Sequence, residues 1–166
     1  MTTPLEFAKA LLDAGGWPQS DNNIEAVVAW SALEGGHYYN SARYNPMNTM
    51  QSMPGSHDAV GKVQAYTSWD QGLAATLKTL NNGLYSNVIA NLSASAPPDD
   101  TLASLTTWTG GTPYSLGHSL ALFNNYANHH DPTGESLSYS ASSTSSIKKV
   151  FIGALLAGLV YWGFKK

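Results

Sequence analysis

A single carboxylate, Glu34, stands at the end of an otherwise apolar helical run and is followed at once by two glycines. Trp30 lies one helical turn before it, and Tyr38 and Tyr39 follow closely, so aromatic side chains are expected to cover the carboxyl group. Burial and the unpaired carbonyls of a helix C-terminus both disfavour negative charge, which predicts a raised pKa for Glu34. A carboxylic acid that keeps its proton near neutral pH can donate it to a leaving oxygen, as glycosidic cleavage requires. On position alone, the alternative is an exposed glutamate at a frayed helix end.

Other polar residues indicate chemistry less strongly. The run His129-His130-Asp131 contains metal-binding residue types, but adjacent histidines on a helix do not share a face, so we interpret it as a helix cap or solvated turn. His37 could line a cleft beside Glu34, although an ordinary loop histidine is the commoner case. Ser31 has no base at helical spacing, which argues against a serine nucleophile. The chain has no cysteine, and we predict neither a metal site nor a cofactor.

The composition narrows the classes of partner. Charged residues make up 11% of the 166 residues, against about 25% in a typical domain. Ser, Thr, Asn, Gln and Tyr supply the polarity instead, and these side chains bind neutral, hydroxyl-rich ligands such as sugars. Up to Ser146 four basic residues stand against all eleven acidic ones, a net charge of −7, whereas from Ile147 four lysines and no acid give +4. An acidic body with so few bases predicts no nucleic-acid binding.

The elements that must position these residues are predicted to be mostly helical. Hydrophobic spacing and capping residues predict six helices: Thr3-Pro4 to Gly15 with a stripe of Leu5, Ala8, Leu11 and Leu12, Asn22 to Glu34, a long helix capped by Ser68 and reaching Leu84, Ser86 to Leu92, one capped by Asp100, and Leu116 to Ala127. The stretch 37–67 is irregular, with one strand-like piece over 60–66. We therefore predict a mainly α domain of the α+β type with a small irregular or β lobe, covering residues 1–131.

After residue 131 the composition changes. Residues 132–147 are rich in Ser and typical of a flexible linker. Residues 148–166 contain an uncharged run, Val150 to Phe164, between two lysine pairs. As a helix this run spans about 22 Å, short of the roughly 30 Å hydrocarbon layer, but lysine stems can extend towards water and Tyr161 and Trp162 suit an interface. We predict a single-pass transmembrane anchor of undecided orientation, with a core helix as the alternative. The N-terminus has no basic, apolar pattern of a signal peptide.

Three segments, in this order, resemble one family. They are ALEGG…NPMNTM at 32–50, VQAYTSWDQGLAATLKTLNNGLYSNVI at 63–89 and TWTGGTPY at 107–114. Together they resemble the lysozyme-like domains of actinobacterial phage virion proteins, which cut host peptidoglycan during entry and are similar to lytic transglycosylases and cell-wall glucosaminidases. The resemblance covers roughly residues 4–126. One departure is Glu34-Gly35, where many transglycosylases have Glu-Ser, and another is the linker with its membrane segment.

The resemblance implies roles for particular residues. Glu34 would be the catalytic acid, and the loop NPMNT would face it across a cleft. Asn45, Asn48 and Thr49 would order that loop or touch sugar, and Tyr66 would lie on the cleft wall.

Two further residues are candidates for the same site. The family pattern places a tyrosine near the catalytic acid, and Tyr114 could take this place or stack on a pyranose ring, whereas Trp108 is interpreted as core. Asp58 lies in the irregular stretch that could fold over the cleft, so it is a candidate second carboxylate. Without it, Glu34 would act alone, first as acid and then as base. Attack by the C6 hydroxyl of the muramic sugar would give a 1,6-anhydro product, and attack by water a reducing end, and both outcomes stay open.

These features together predict a membrane-tethered peptidoglycan glycosidase, either a muramidase or a lytic transglycosylase. It would cleave the β-1,4 linkage between N-acetylmuramic acid and N-acetylglucosamine. The expected partners are peptidoglycan glycan strands, a lipid membrane (an internal virion membrane) and other virion proteins. The alternatives are a catalytically inactive structural or glycan-binding virion membrane protein, and a small membrane-permeabilising protein whose C-terminal helix does the work.

Overall fold

The computed structural model of the chain describes residues 4–34 and 42–117. The described elements are, in chain order, α1 (Pro4–Gly15), α2 (Asp21–Leu33), β1 (His57–Val60), β2 (Val63–Ala65), α3 (Trp69–Leu80), α4 (Ser86–Ala94), α5 (Pro98–Ala103) and a 3-10 helix (Ser104–Thr107). The predicted helix-rich fold with a small β lobe is therefore confirmed for these residues.

Helix α2 is the central element of the described part. It packs against α1 and α5, and nine consecutive or nearly consecutive side chains between Asn23 and Ala32 are buried. A helix buried around most of its circumference belongs to the core rather than the surface. Glu34 caps the end of α2, directly after Leu33, and is partly buried. It therefore lies at the edge of the core and not at a frayed helix end in water.

The packing of α1 differs slightly from the predicted stripe. Ala8, Leu11 and Leu12 are buried as expected, but Phe7 is the fourth buried residue and Leu5 is only half-buried. Phe7 and Leu11 are one helical turn apart, so they lie on the same face of α1. An aromatic ring and aliphatic side chains therefore pack together in the core on this face.

Helix α2 starts at a side-chain cap. Ser20 Oγ accepts a hydrogen bond from the backbone N–H of Asn23 over 3.3 Å, so the helix begins slightly before the predicted Asn22. The amide of Asn23 is buried and donates to the carbonyls of Pro18 and Leu92, both over 2.7 Å. This amide joins the start of α2 to helix α4.

The β lobe is a hairpin, whereas the sequence predicted one strand over 60–66. Strands β1 and β2 are antiparallel, with His57 opposite Ala65 and Val60 opposite Val63. Gly61 lies between them with a φ of 59°, a conformation that glycine adopts without steric cost. Asp58 therefore belongs to β1 and not to an irregular stretch.

The third helix confirms one predicted boundary and corrects another. Ser68 Oγ accepts from the backbone N–H of Gln71 over 3.2 Å, so the predicted cap is confirmed. The helix ends at Leu80 rather than Leu84, because Gly83 has a φ of 92° and turns the chain away. Leu84 is 65% exposed and does not extend the apolar stripe.

The fourth and fifth helices also shift at their ends. Helix α4 runs to Ala94, two residues past the predicted Leu92. Helix α5 begins at Pro98, so Asp100 lies in its first turn and is not the cap. An acid in that position still favours the helix through the positive end of its dipole.

Several predictions fall outside the described residues. These are the Thr3 cap, the Gly35-Gly36 stop, the helix reaching Ala127, the linker 132–147 and the anchor 148–166. Within 4–34 and 42–117, none of the helices has the length and apolar character that a membrane crossing requires.

Candidate active site

Aromatic side chains from three parts of the chain surround the end of α2. Trp30, from α2 itself, is completely buried and meets the ring of Trp108 edge-on, with ring centroids 4.7 Å apart. Tyr85, which precedes α4, packs against the same Trp108 ring at 5.3 Å. Glu34 closes α2 next to this aromatic cluster, and its backbone N–H bonds to the carbonyl of Trp30 over 3.0 Å.

A fourth aromatic residue contacts the carboxyl group directly. The hydroxyl of Tyr114 donates a hydrogen bond to Glu34 Oε1 over 3.0 Å. The predicted proximity of Tyr114 to Glu34 is thus confirmed. Trp108 is half-buried and packs on the core, as the sequence indicated, but it also belongs to the aromatic cluster around the end of α2.

The loop that carries Tyr114 is held in place from α5. Gly110 and Gly111 have φ values of 73° and 116°, so they reverse the chain after Trp108. Asp99 Oδ1 then accepts a hydrogen bond from the backbone N–H of Leu116 over 2.8 Å. These two features bring Tyr114 back over the end of α2.

Burial raises the pKa of Glu34 from 4.5 to about 7. The raised pKa confirms the direction that the sequence predicted, and removal of water from the carboxyl is its main cause. The hydrogen bond from Tyr114 favours the charged form and offsets part of the rise. The indole N–H groups of Trp30 and Trp108 act in the same direction, although the geometry at Trp30 falls short of a hydrogen bond.

The neighbouring phenols respond to the same environment. Burial raises the pKa of Tyr85 and of Tyr114, and the charge of Glu34 raises both further. Both phenols therefore stay protonated when Glu34 titrates. Near pH 7 the Glu34 carboxyl is present in both its acid and its base form, which suits a group that must donate a proton and then accept one.

The loop NPMNT is attached to the end of α2 through Asn48. Its side-chain amide donates to the backbone carbonyl of Glu34. The last carbonyls of a helix have no partner within the helix, so Asn48 satisfies one of them. Asn48 itself has a φ of 50°, a left-handed conformation that asparagine tolerates better than most residues.

Asn45 and Thr49 order the loop from within. The buried amide of Asn45 donates to the carbonyls of Thr49 and Gln64 over 2.9 and 2.7 Å, and its oxygen accepts from the Thr49 backbone N–H over 3.0 Å. The hydroxyl of Thr49 bonds to that of Thr79 on α3 over 2.7 Å. Of the two predicted roles, ordering the loop is the one that these contacts support, and contact with sugar stays a prediction.

Tyr66 lies inside the β lobe rather than on an exposed wall. It is 3% exposed, and its hydroxyl donates to the carbonyl of Gln51 over 2.7 Å. Burial raises its pKa to about 12. Tyr66 therefore ties the loop after Thr49 to the end of β2, and its predicted place on the cleft wall stays a prediction.

Asp58 makes its contacts within the hairpin. Its side chain is exposed on β1, and Oδ1 accepts a hydrogen bond from Gln64 Nε2 over 2.5 Å. Gln64 also accepts from Ser56 Oγ over 2.8 Å, so the three side chains form one polar chain. Asp58 is not among the groups that shift the pKa of Glu34. A catalytic role for Asp58 stays a prediction without a contact to support it.

Some of the site's residues have no signal in the sequence. Tyr85 and Asp99 were not predicted to take part, because they lie far along the chain from Glu34. Tyr85 belongs to the segment 63–89 that resembles the phage domains, but nothing in that segment indicates a contact with the site. His37, Tyr38 and Tyr39 lie outside the described residues. Within 4–34 and 42–117 no group of three or more His, Asp or Glu side chains could hold a metal ion.

Comparison of the chain with protein-family models, with curated proteins and with solved structures gave no match. The geometry therefore defines the class of the site. It is a partly buried carboxylic acid at the end of a central helix, hydrogen-bonded by a phenol, with a pKa of about 7.

Proposed function

We propose that the chain is a peptidoglycan glycosidase with a lysozyme-like domain, in which Glu34 is the general acid. The observation that carries this proposal is the pKa of about 7 at a carboxyl group held by Tyr114. A carboxylic acid with an ordinary pKa near 4.5 would be almost fully ionised at neutral pH and could not donate a proton efficiently. The substrate class rests on the resemblance of the three sequence segments to phage lysozyme-like domains.

The reaction would begin with proton transfer from Glu34 to the glycosidic oxygen between N-acetylmuramic acid and N-acetylglucosamine. The C–O bond breaks, the oxygen leaves as a hydroxyl, and the sugar carbon C1 takes on positive charge. The resulting carboxylate of Glu34 accepts the hydrogen bond from Tyr114. The oxygen of the attacking group, either water or the C6 hydroxyl of the muramic sugar, then bonds to C1, and the Glu34 carboxylate removes the proton from that oxygen.

The contacts of Asp58 favour a mechanism with Glu34 as the sole catalytic carboxylate. In a retaining enzyme the two carboxyl groups stand about 5–5.5 Å apart, close enough for one charge to raise the pKa of the other. Burial, and not a neighbouring carboxylate, is the largest cause of the raised pKa of Glu34. The hairpin contacts of Asp58 and the cause of the raised Glu34 pKa both support a mechanism in which Glu34 acts alone, first as the acid and then as the base.

We further propose that residues 148–166 anchor this domain to a lipid membrane through the linker 132–147. The support is the uncharged run between lysine pairs. A virion with an internal membrane would then carry the enzyme until the cell wall is reached, with other virion proteins as neighbours.

The substitution Glu34→Gln tests the catalytic proposal. It keeps the size of the side chain but cannot donate a carboxyl proton, so we expect the clearing of purified cell walls to be lost. Glu25→Gln is the matched control, because it makes the same change on the same helix about 13 Å away. Unchanged clearing by Glu34→Gln would contradict the proposal.

Mass spectrometry of the released muropeptides identifies the bond and the attacking group. Anhydro ends indicate attack by the C6 hydroxyl, and reducing ends indicate attack by water. Binding of the wild type to cell walls without any released muropeptide would favour the inactive, glycan-binding alternative.

A further inference from the structure

The indole N–H of Trp30 is a buried donor without a hydrogen-bond partner. Trp30 is 0% exposed, and its Nε1 makes no hydrogen bond. Folded proteins rarely leave a buried donor unpaired, because water would have bonded to it in the unfolded chain. An unpaired donor of this kind therefore calls for a physical explanation.

The position of Trp30 supplies one. It precedes Glu34 by four residues at the end of α2, so the two side chains lie on the same side of the helix. The edge-on contact with Trp108, at 4.7 Å, fixes the plane of the indole. In this orientation the Trp30 N–H favours the charged form of the Glu34 carboxyl without reaching hydrogen-bond geometry.

We propose that Trp30 is a positioning residue whose N–H completes a hydrogen bond to Glu34 only after the carboxyl has lost its proton. When the O–H bond of Glu34 breaks, the proton moves to the acceptor and the electron pair stays on the carboxylate. The new negative charge attracts the indole N–H, which a small movement brings into hydrogen-bond range. Trp30 then joins Tyr114 as a donor to the carboxylate, beside Trp108, whose indole N–H also favours the charged form.

This arrangement would place the Trp30 N–H where negative charge develops as the proton leaves, so the donor stabilises the product carboxylate. The catalytic meaning of the inference rests on the proposed function, whereas the proton-dependent hydrogen bond does not. The titratable groups facing the Glu34 carboxyl among the described residues are Tyr85 and Tyr114. Burial raises the pKa of both phenols, so neither changes charge near pH 7.

The test is a pH titration of the full-length chain, labelled with nitrogen-15 and observed by NMR. We expect the Trp30 Nε1–H resonance to move downfield as pH rises, with a midpoint of about 7, and to stop titrating in Glu34→Gln. The matched control is the Nε1–H of Trp17, another buried tryptophan, which should not move over the same range. A Trp30 resonance that stays constant, or that titrates equally in Glu34→Gln, would overturn the inference.

The substitution Trp30→Phe gives a second readout. It removes the N–H but keeps an aromatic ring, so the carboxylate loses a donor and the pKa of Glu34 should rise by about one unit, a tenfold change in its ionisation constant. The carbon-13 shift of the Glu34 carboxyl measures this pKa, and Trp17→Phe is the control for a ring change in the core. A Glu34 pKa that is unchanged or lower in Trp30→Phe would overturn the inference. If Trp30→Phe does not fold, the wild-type titration alone decides.

The two proposals fail in distinguishable ways. A Trp30 resonance that titrates with Glu34, together with wall clearing that survives Glu34→Gln, supports the hydrogen bond and contradicts the glycosidase. A constant Trp30 resonance, together with clearing that is lost in Glu34→Gln, supports the glycosidase and contradicts the proton-dependent hydrogen bond.

Discussion

The hydroxyl of Tyr114 donates a hydrogen bond to Oε1 of Glu34 over 3.0 Å, although the two residues are 80 positions apart in the sequence. The contact joins the end of the central helix α2 to the loop that follows α5. It orients a carboxyl group whose pKa burial raises to about 7. The phenol stays protonated throughout the pH range in which Glu34 titrates, so it remains a hydrogen-bond donor. A donor stabilises the carboxylate more than the neutral acid, and Tyr114 therefore favours the charged form of Glu34.

Tyr114→Phe should raise the pKa of Glu34. The variant removes a hydrogen bond to the charged form and leaves the ring in place, so the pKa should rise above 7 by about one unit. Carbon-13 NMR of the Glu34 carboxyl measures the shift directly. In an activity assay the loss of rate on the basic side should move to higher pH by the same amount.

Tyr44→Phe is the control for that prediction. Tyr44 packs edge-on against Trp69 at 5.4 Å, and its hydroxyl is not among the groups that act on Glu34. A Glu34 pKa that responds equally to both variants, or to neither, would contradict a specific role of the Tyr114 hydroxyl.

Glu34→Gln should stabilise the fold at high pH but not at low pH. The carboxyl has a pKa of about 7 in the folded chain against 4.5 as reference. Below pH 4.5 it is protonated in both states and costs nothing, whereas above pH 7 the folded state must bury a charge that the unfolded state exposes to water. The free energy of unfolding of the wild type therefore falls as pH rises from about 4.5 to 7, by at most about 3 kcal/mol. The glutamine variant carries no charge at this position and does not lose this stability.

Urea unfolding of both proteins at about pH 4 and about pH 8 measures this difference. The wild type at the lower pH is the internal control, because its carboxyl is then neutral like the amide. An equal difference in the free energy of unfolding at the two pH values would show that the charge of Glu34 is not the cause.

Asn48→Gly and Asn48→Ala should separate the two roles of Asn48. Glycine accepts the φ of 50° but removes the amide that bonds to the Glu34 carbonyl, which should cost about 1 kcal/mol of unfolding free energy. Alanine loses the same bond and also resists the left-handed conformation, so it should cost about 1 kcal/mol more. Urea unfolding of the three proteins gives the comparison, and an alanine variant as stable as the glycine one would contradict the conformational part.

Gly72→Ala should destabilise the junction between α3 and the segment leading into the NPMNT loop. A Cβ at Gly72 would lie 1.8 Å from the backbone oxygen of Tyr44, and backbone cannot move aside as a flexible side chain can. We expect a loss of about 3 kcal/mol, seen as a lower melting temperature. Gly117→Ala is the control, since its nearest neighbour would be Ser115 Oγ at 3.9 Å.

Much of the helical framework was predictable because local interactions decide it. The Ser68 cap needs only a hydroxyl at the right distance from the next N–H groups, and the buried stripe of α1 needs only hydrophobic residues at helical spacing. Helix ends were less predictable. Leu84 fits the apolar spacing of α3, but Gly83 turns the chain before it, and Asp100 looks like a cap although the helix begins at Pro98.

The hairpin shows where a local pattern falls short. The residues of β2 alternate in a way that predicts a strand, but β1 is short and mostly exposed, so it carries little hydrophobic signal of its own. Pairing with β2 makes it a strand. Asp58 consequently points its carboxylate at Gln64, a contact that no spacing rule could indicate.

The sequence places Glu34 at the end of an apolar helix, one turn after a tryptophan, and this local pattern is enough to predict a buried carboxyl group with a raised pKa. Burial is indeed the largest cause of the rise, whereas the indole N–H of Trp30 acts in the opposite direction. The contacts around the carboxyl depend on tertiary packing, and for Tyr114 the sequence offered no more than a resemblance. Tyr114 reaches Glu34 because Asp99 holds its loop, and Tyr85 reaches Trp108 because α4 packs beside α5. Such contacts depend on how distant segments pack together, and the free energy of that packing is not written in any one stretch of residues.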